Sequence, residues 1–340
     1  MSERTPSGVT TGQPARRATT GVLQVVDLEA ADHHWEISPG RVVHGYAFNG
    51  QAPGPVIEAR VGDTLLVQFT NLLPEPTTIR WHGLPEPSAM NGSELTADPV
   101  APGGRLQYQL HLPRAGTFWY HSPIAATTQS SRGLCGVLIV RDPEEATFDG
   151  ERVLLFDDLE LNRRRRLGAP DRLLEDRRGP EGEVLLVNGV LEPEMQIATG
   201  QVERWRLVNT TSARHLRLSM GGHRFHMIRT GSPTPDVVDE VLMAPGDRLD
   251  LAVGPFPHGE TVILEALLHD QRVSESRHHA LATLYVAPPD SPSGASRRKP
   301  RRDGQRRALG VADGAADLDF SGRGMDTLKS RALVREEGWA

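Results

Sequence analysis

Thr77-Thr78-Ile79-Arg80-Trp81-His82-Gly83 and its later partner, Gly116-Thr117-Phe118-Trp119-Tyr120-His121-Ser122-Pro123, decide the fold. In each, β-branched and aromatic residues crowd around a single histidine and turn residues close the run, the composition of short strands ending in turns. Upstream, Gly62-Asp63-Thr64-Leu65-Leu66-Val67-Gln68-Phe69-Thr70-Asn71 alternates so that Leu65, Val67 and Phe69 share one face. After the first motif, Ala101-Pro102-Gly103-Gly104 feeds a strand through Tyr108. After the second, Arg132 to Val140 reads as a buried closing strand. The same grammar returns at an offset of about 140 residues, a spacing that marks a duplicated domain rather than a short repeat. Asn188-Gly189 answers Asn49-Gly50, Gly200 to Asn209 answers Gly62 to Asn71, and Ala244 to Leu251 answers Ala101 to Tyr108. The expected fold is all-β: two tandem Greek-key sandwiches with flexible tails. The expected divisions are a tail over 1–20, a first domain over 21–145, a second over 146–288 and a basic, low-complexity tail over 289–340.

Composition narrows the function classes. The 34 glycines and 26 prolines suit many short strands joined by turns, and a net charge of −6 gives no global field for nucleic acid or an anionic membrane. The longest apolar runs, such as Val137 to Val140, are strand-sized and far short of the ~20 residues that cross a bilayer. Arg16-Arg17 is followed by no apolar stretch and no cleavage site, so the chain as written carries no export signal and reads as cytoplasmic. Cys135 is the lone cysteine and reads as a buried apolar residue. Arg163 to Arg166 and the cluster from Arg297 to Arg302 read as solvated loop and tail. Met325 to Glu337 has the apolar spacing of a short helix. His223 and His226, three apart on a strand, point to opposite faces, as do the adjacent pairs His33-His34 and His278-His279. No hydrolase elbow, phosphate-binding glycine loop or metalloprotease helix motif is present.

The two histidine motifs resemble the first two copper-binding motifs of the multicopper oxidases, the laccase-like family, in which His-x-His precedes a glycine and a second His-x-His follows Trp-Tyr. The resemblance covers about residues 40 to 285. It also rests on Ala52-Pro53-Gly54-Pro55-Val56-Ile57, on Gln129 with Arg132-Gly133-Leu134, and on Gly221 to Ile228 with Ala244 to Asp250. It implies cupredoxin domains, usually three in a row, a blue copper that takes electrons from substrate, and a three-copper cluster that reduces dioxygen. It also implies an exported protein, and the family contains copper-free members with structural roles.

Each motif here keeps one histidine of two. By the resemblance, Arg80 stands where a type 2 copper ligand belongs and Pro123 where a type 3 ligand belongs. A guanidinium has no lone pair to give, and proline offers no donor. His82 and His121 match the two ligands of the remaining type 3 copper. They are the candidate metal residues, either as a two-imidazole remnant or as a packed pair with Arg80 filling the vacated volume and meeting a carboxylate or anion. Ser122 occupies the place of a blue-copper cysteine, no His-Cys-His segment occurs, and no histidine follows His279. The expected cofactor is therefore copper at one remnant site, or none. The expected function is a copper-poor binding or scaffold protein whose partner is another protein or a second copy. The alternative is a laccase-like oxidoreductase whose sites are completed by a partner chain carrying the third domain.

Overall fold

The computed structural model describes residues 21–84, 98–124, 129–159, 182, 184–228, 235–267 and 279–289. The arginine run at 163–166, the basic cluster, the helix expected over Met325 to Glu337 and both tails lie outside them. Strands account for nearly all the regular structure among the described residues. They run β1 (Leu23–Ser38), β2 (Arg41–Phe48), β3 (Ile57–Arg60), β4 (Thr64–Asn71), β5 (Arg80–His82), β6 (Arg105–His111), β7 (Gly116–His121) and β8 (Cys135–Arg141). After them come β9 (Gly150–Leu159), β10 (Val184–Val187), β11 (Glu194–Ala198), β12 (Glu203–Asn209), β13 (Leu216–Ser219) and β14 (Phe225–Met227). The last five are β15 (Asp236–Val238), β16 (Glu240–Met243), β17 (Arg248–Val253), β18 (Thr261–Leu267) and β19 (His279–Ala287).

Four sheets result. The first eight strands make two, ordered β2-β1-β4-β6 and β3-β8-β7-β5; the rest make two more, β10-β9-β12-β17-β14-β15 and β11-β19-β18-β13-β16. Neighbours that are not consecutive, such as β1 beside β4 and β3 beside β8, are the crossovers of a Greek-key sandwich. The first core holds Leu65, Val67 and Phe69 together with Trp81, Phe118 and Tyr120, so the alternation in Gly62 to Asn71 does place one apolar face inside. The second core is built around Trp205, Leu207, Phe225 and Leu251.

The internal repeat is visible in hydrogen bonds. Asn49 and Asn188 share a left-handed φ of 51° and 52° and do the same job. Asn49 Nδ2 donates to Asp27 O while its Oδ1 accepts from Glu29 N–H; Asn188 does so with Val153 and Leu155. Asn71 and Asn209 likewise each accept at Oδ1 from the amide two residues on and donate to a carbonyl before the next turn, Val100 and Met243 respectively. A short polar side chain that can hold a left-handed turn and pin two backbone segments explains why asparagine recurs at these points.

The two sandwiches meet face to face through strands buried on both sides. In β7, Phe118 and Tyr120 enter the first core while Trp119 turns the other way. In β8, Leu138 and Val140 do the same against Val137 and Ile139. Trp119, Cys135, Val137 and Ile139 pack on Leu155 of β9 and Val208 of β12. A second contact seats Trp35, Ile37 and Val43 of the β1–β2 hairpin on Leu159 and Leu186.

Candidate functional site

β5 and β7 pair antiparallel with Arg80 opposite His121 and His82 opposite Trp119. Because side chains alternate along a strand, Arg80, His82, Trp119 and His121 share one face and Trp81 and Tyr120 the other. The second set goes into the first core and fixes the register, so the histidines are delivered together by apolar burial around them. One close approach is required: a Cβ at Gly136 would lie 2.3 Å from the Tyr120 ring.

The three rings stack. His82 lies on Trp119 at 4.1 Å between centroids and 5° between planes, Trp119 on His121 at 4.6 Å, and the two imidazoles on each other at 4.7 Å. Their Nε2 atoms are 2.7 Å apart, one donating to the other. Burial pushes the His82 imidazole down to about 3, with His121, Arg80 and Arg248 adding to the shift. Burial, with Arg80, lowers His121 to about 4. Both are therefore neutral at physiological pH.

The flanks of the two motifs are tied by an amide. Thr77 Oγ1 and Ser122 Oγ both donate to Gln129 Oε1, at 2.8 and 2.6 Å, and Gln129 Nε2 donates to Glu75 Oε1 and Pro76 O. Ser122 is thus a structural hydroxyl. Two arginines hold the end of β5: Arg114 Nη2 donates to Gly83 O at 2.6 Å, and Arg248 Nη1, from the second sandwich, to His82 O at 2.9 Å.

Arg80 differs from expectation. It is exposed and makes no ion pair with a carboxylate among the described residues, so it does not fill a vacated space. A long guanidinium stem on a three-residue strand reaches water more cheaply than it could be buried unpaired. The other histidines are scattered. His223 Nε2 pairs with Glu260 at 3.0 Å, His34 stacks on His44 across the β1–β2 ladder, and His279 is exposed. Cys135 is buried in the interface, and burial pushes its thiol well up.

As a metal centre the site is thin. Among the described residues no group of three or more His, Cys, Asp or Glu side chains is gathered for an ion. Two imidazoles around one tetrahedral ion at 2.0–2.1 Å would hold their nitrogens about 3.3 Å apart, and neither could keep a proton between them. Here the nitrogens are 2.7 Å apart and share a proton, with Arg80 and Arg248 close enough to disfavour positive charge on His82. Among the described residues only these two of the ligands that the resemblance implies come together, too few and too close for the family's copper cluster.

The structure brings together His82 and His121, the residues singled out from the sequence, with Gln129 beside their motifs. Sequence reasoning missed Arg114 and Arg248. The one available signal was the repeat, in which Arg248 answers Arg105; but Arg105 lies exposed on β6 while its counterpart turns to the junction.

Comparison with known proteins agrees with the fold. A multicopper oxidase family model matches residues 29–145. The chain is 29% identical over 312 residues to the multicopper oxidase MmcO of Mycobacterium tuberculosis, covering 78% of this chain and 57% of that protein. It is also 29% identical over 245 residues to the cell division protein FtsP of Photorhabdus laumondii, covering 68% of this chain and 50% of that one. The chain thus spans about half the length of these relatives. Among solved structures, a multicopper oxidase from Pseudomonas thermotolerans superposes with a TM-score of 0.70 at 30% identity, over 88% of this chain and 70% of that one. With its paired histidine motifs, duplicated cupredoxin sandwiches and these matches, the chain belongs to the multicopper oxidase family.

Proposed function

We propose that this chain is a copper-poor cupredoxin scaffold that works by binding another protein or a second copy of itself, and does not run four-copper oxidase chemistry alone. The carrying observation is the His82–His121 contact: two neutral imidazoles hydrogen-bonded to each other at 2.7 Å, ringed by guanidiniums. A ligand pair that spends its lone pair internally, next to positive charge, disfavours a divalent ion. One of the relatives bears the name of a cell division protein and not of an oxidase, which supports a role other than four-copper oxidation.

A second reading has one observation in its favour. His82 and His121 do converge, so a partner chain bringing further imidazoles and a blue-copper motif would find two ligands waiting. In that reading the complex, and not this chain, is the oxidoreductase.

Elemental analysis of tag-free protein dialysed against copper separates the two. Copper well below one per chain, unchanged by His82→Ala or His121→Ala, is the expected result. Stoichiometric copper that both substitutions abolish, or oxidation of phenols by the purified chain, would overturn the scaffold reading.

A further inference from the structure

Asn49-Gly50 and Asn188-Gly189 are the same dipeptide in the same turn. Each is the two-residue corner of a hairpin closed by an antiparallel bridge, Phe48 with Gln51 and Val187 with Val190. Both central residues have positive φ, 51° and 68° in the first turn, 52° and 74° in the second, and each asparagine side chain holds one backbone carbonyl and one backbone amide.

Their surroundings differ. Asn49 and Gly50 are exposed, whereas Asn188 is half-buried and Gly189 buried. A Cβ at Gly50 would meet nothing within 4 Å; one at Gly189 would lie 2.2 Å from Ala52 O and 3.0 Å from Pro53 Cδ. The second turn is thus covered by the segment that leaves the first. The hydrogen bonds of the Asn49 carboxamide, to Glu29 and Asp27, are exposed, so water replaces them when they break. Those of Asn188 are partly buried, and breaking them would strand Val153 O and the Leu155 amide.

We propose that Asn49, and not Asn188, is a site of spontaneous deamidation in the folded protein. The Gly50 backbone nitrogen bonds to Asn49 Cγ, the Cγ–Nδ2 bond breaks, and ammonia leaves with the proton that Gly50 gives up. Water then opens the five-membered succinimide at either carbonyl, giving aspartate or isoaspartate. Glycine favours ring closure because it has no side chain to obstruct the attacking nitrogen. Either product loses the Nδ2 donor to Asp27 O. Isoaspartate also adds a carbon to the backbone of a two-residue turn, directly before the Ala52-Pro53 segment that packs on Gly189, so the change is carried to the contact between sandwiches.

The test holds full-length protein at mildly alkaline pH, quenches samples with acid, cleaves them at low pH and reads each site by mass spectrometry. Conversion at Asn49 should run about tenfold or more faster than at Asn188, the factor set by two exposed against two half-buried hydrogen bonds, and should yield both aspartate and isoaspartate. In urea the two rates should converge, because the dipeptide is the same and the fold no longer separates them. Asn91-Gly92 lies outside the described residues and is resolved as a separate peptide. Equal rates in the folded chain, faster conversion at Asn188, or no conversion at Asn49 over the time in which the unfolded chain converts would overturn the proposal. A difference that persists in urea would overturn the role given to the fold, and aspartate without isoaspartate would overturn the succinimide route.

Discussion

His82 and His121 remain neutral in the fold because burial penalises the charged form and Arg80 adds to the penalty. Unfolded, each would titrate near 6.5. As pH falls below that value the unfolded chain takes up protons that the folded chain refuses, so stability drops until the folded values, about 4 for His121 and about 3 for His82, are reached. Each imidazole contributes a slope of up to about 1.4 kcal/mol per pH unit within its window. Replacing His121 with Gln should therefore flatten the pH dependence of urea-unfolding free energy between about pH 6 and 4. An unchanged slope would mean that the ring is protonated in the fold. The resemblance of the two motifs implied that these two histidines share one site, and the pairing of β5 with β7, with Trp81 and Tyr120 anchored in the core, delivers them there. Their mutual hydrogen bond was not legible in the sequence, since it depends on ring rotations that stacking on Trp119 sets.

At the level of elements, β7 and β8 carry the junction because each is apolar on both faces. Their burial pattern shows no alternation: every residue of β7 is buried. A run without period two marks a strand covered on both sides, and the residue types of Gly116 to His121 and Cys135 to Val140 carry that mark. What covers the second face could not be read, because Leu155 and Val208 lie in strands whose own apolar faces serve the other core. The close fit between the two strands hangs on Gly136, where a Cβ would run into the Tyr120 ring at 2.3 Å. Tyr120 cannot give easily. It is buried, tilted against Phe48 and Trp81, and its hydroxyl donates to Pro55 O at 2.7 Å. Gly136→Ala should cost about 1–3 kcal/mol by overpacking, read as a lower urea midpoint with unchanged m-value. A cost indistinguishable from zero would show that the ring has room to move.

Across the whole molecule the junction is also polar. Glu58 pairs with Arg141, Arg141 with Glu151, Glu151 with Arg206, and Arg206 with Glu145 and Asp250, while Arg204 joins Glu145 and Asp250. Arg206 is fully buried. No periodicity announced this line of charge; a motif search passes over arginines on an amphipathic-looking strand, and only the stacking of two sandwiches turns that face inward. Burial alone would raise the Asp250 carboxyl, but Arg204 and then Arg206 outweigh it and hold it below its usual range. That carboxylate therefore stabilises the fold at neutral pH, and the contribution is lost only as pH falls through its depressed value. Thr117 of β7 is one of the groups that couple the two sandwiches: its Oγ1 donates to Asp250 Oδ1 at 3.0 Å and accepts from Arg206 Nη1 at 3.0 Å. Asp250→Asn should cost about 3–5 kcal/mol, because it leaves two buried guanidiniums undercompensated. Thr117→Val keeps the shape and removes the hydroxyl, so a cycle of the two substitutions isolates the contact between sandwiches. A coupling of about 0.5–3 kcal/mol is expected, with unfolding remaining a single calorimetric transition in the parent chain. Additive costs with two resolved transitions would mean that the sandwiches fold independently and that the charge line stabilises only the second.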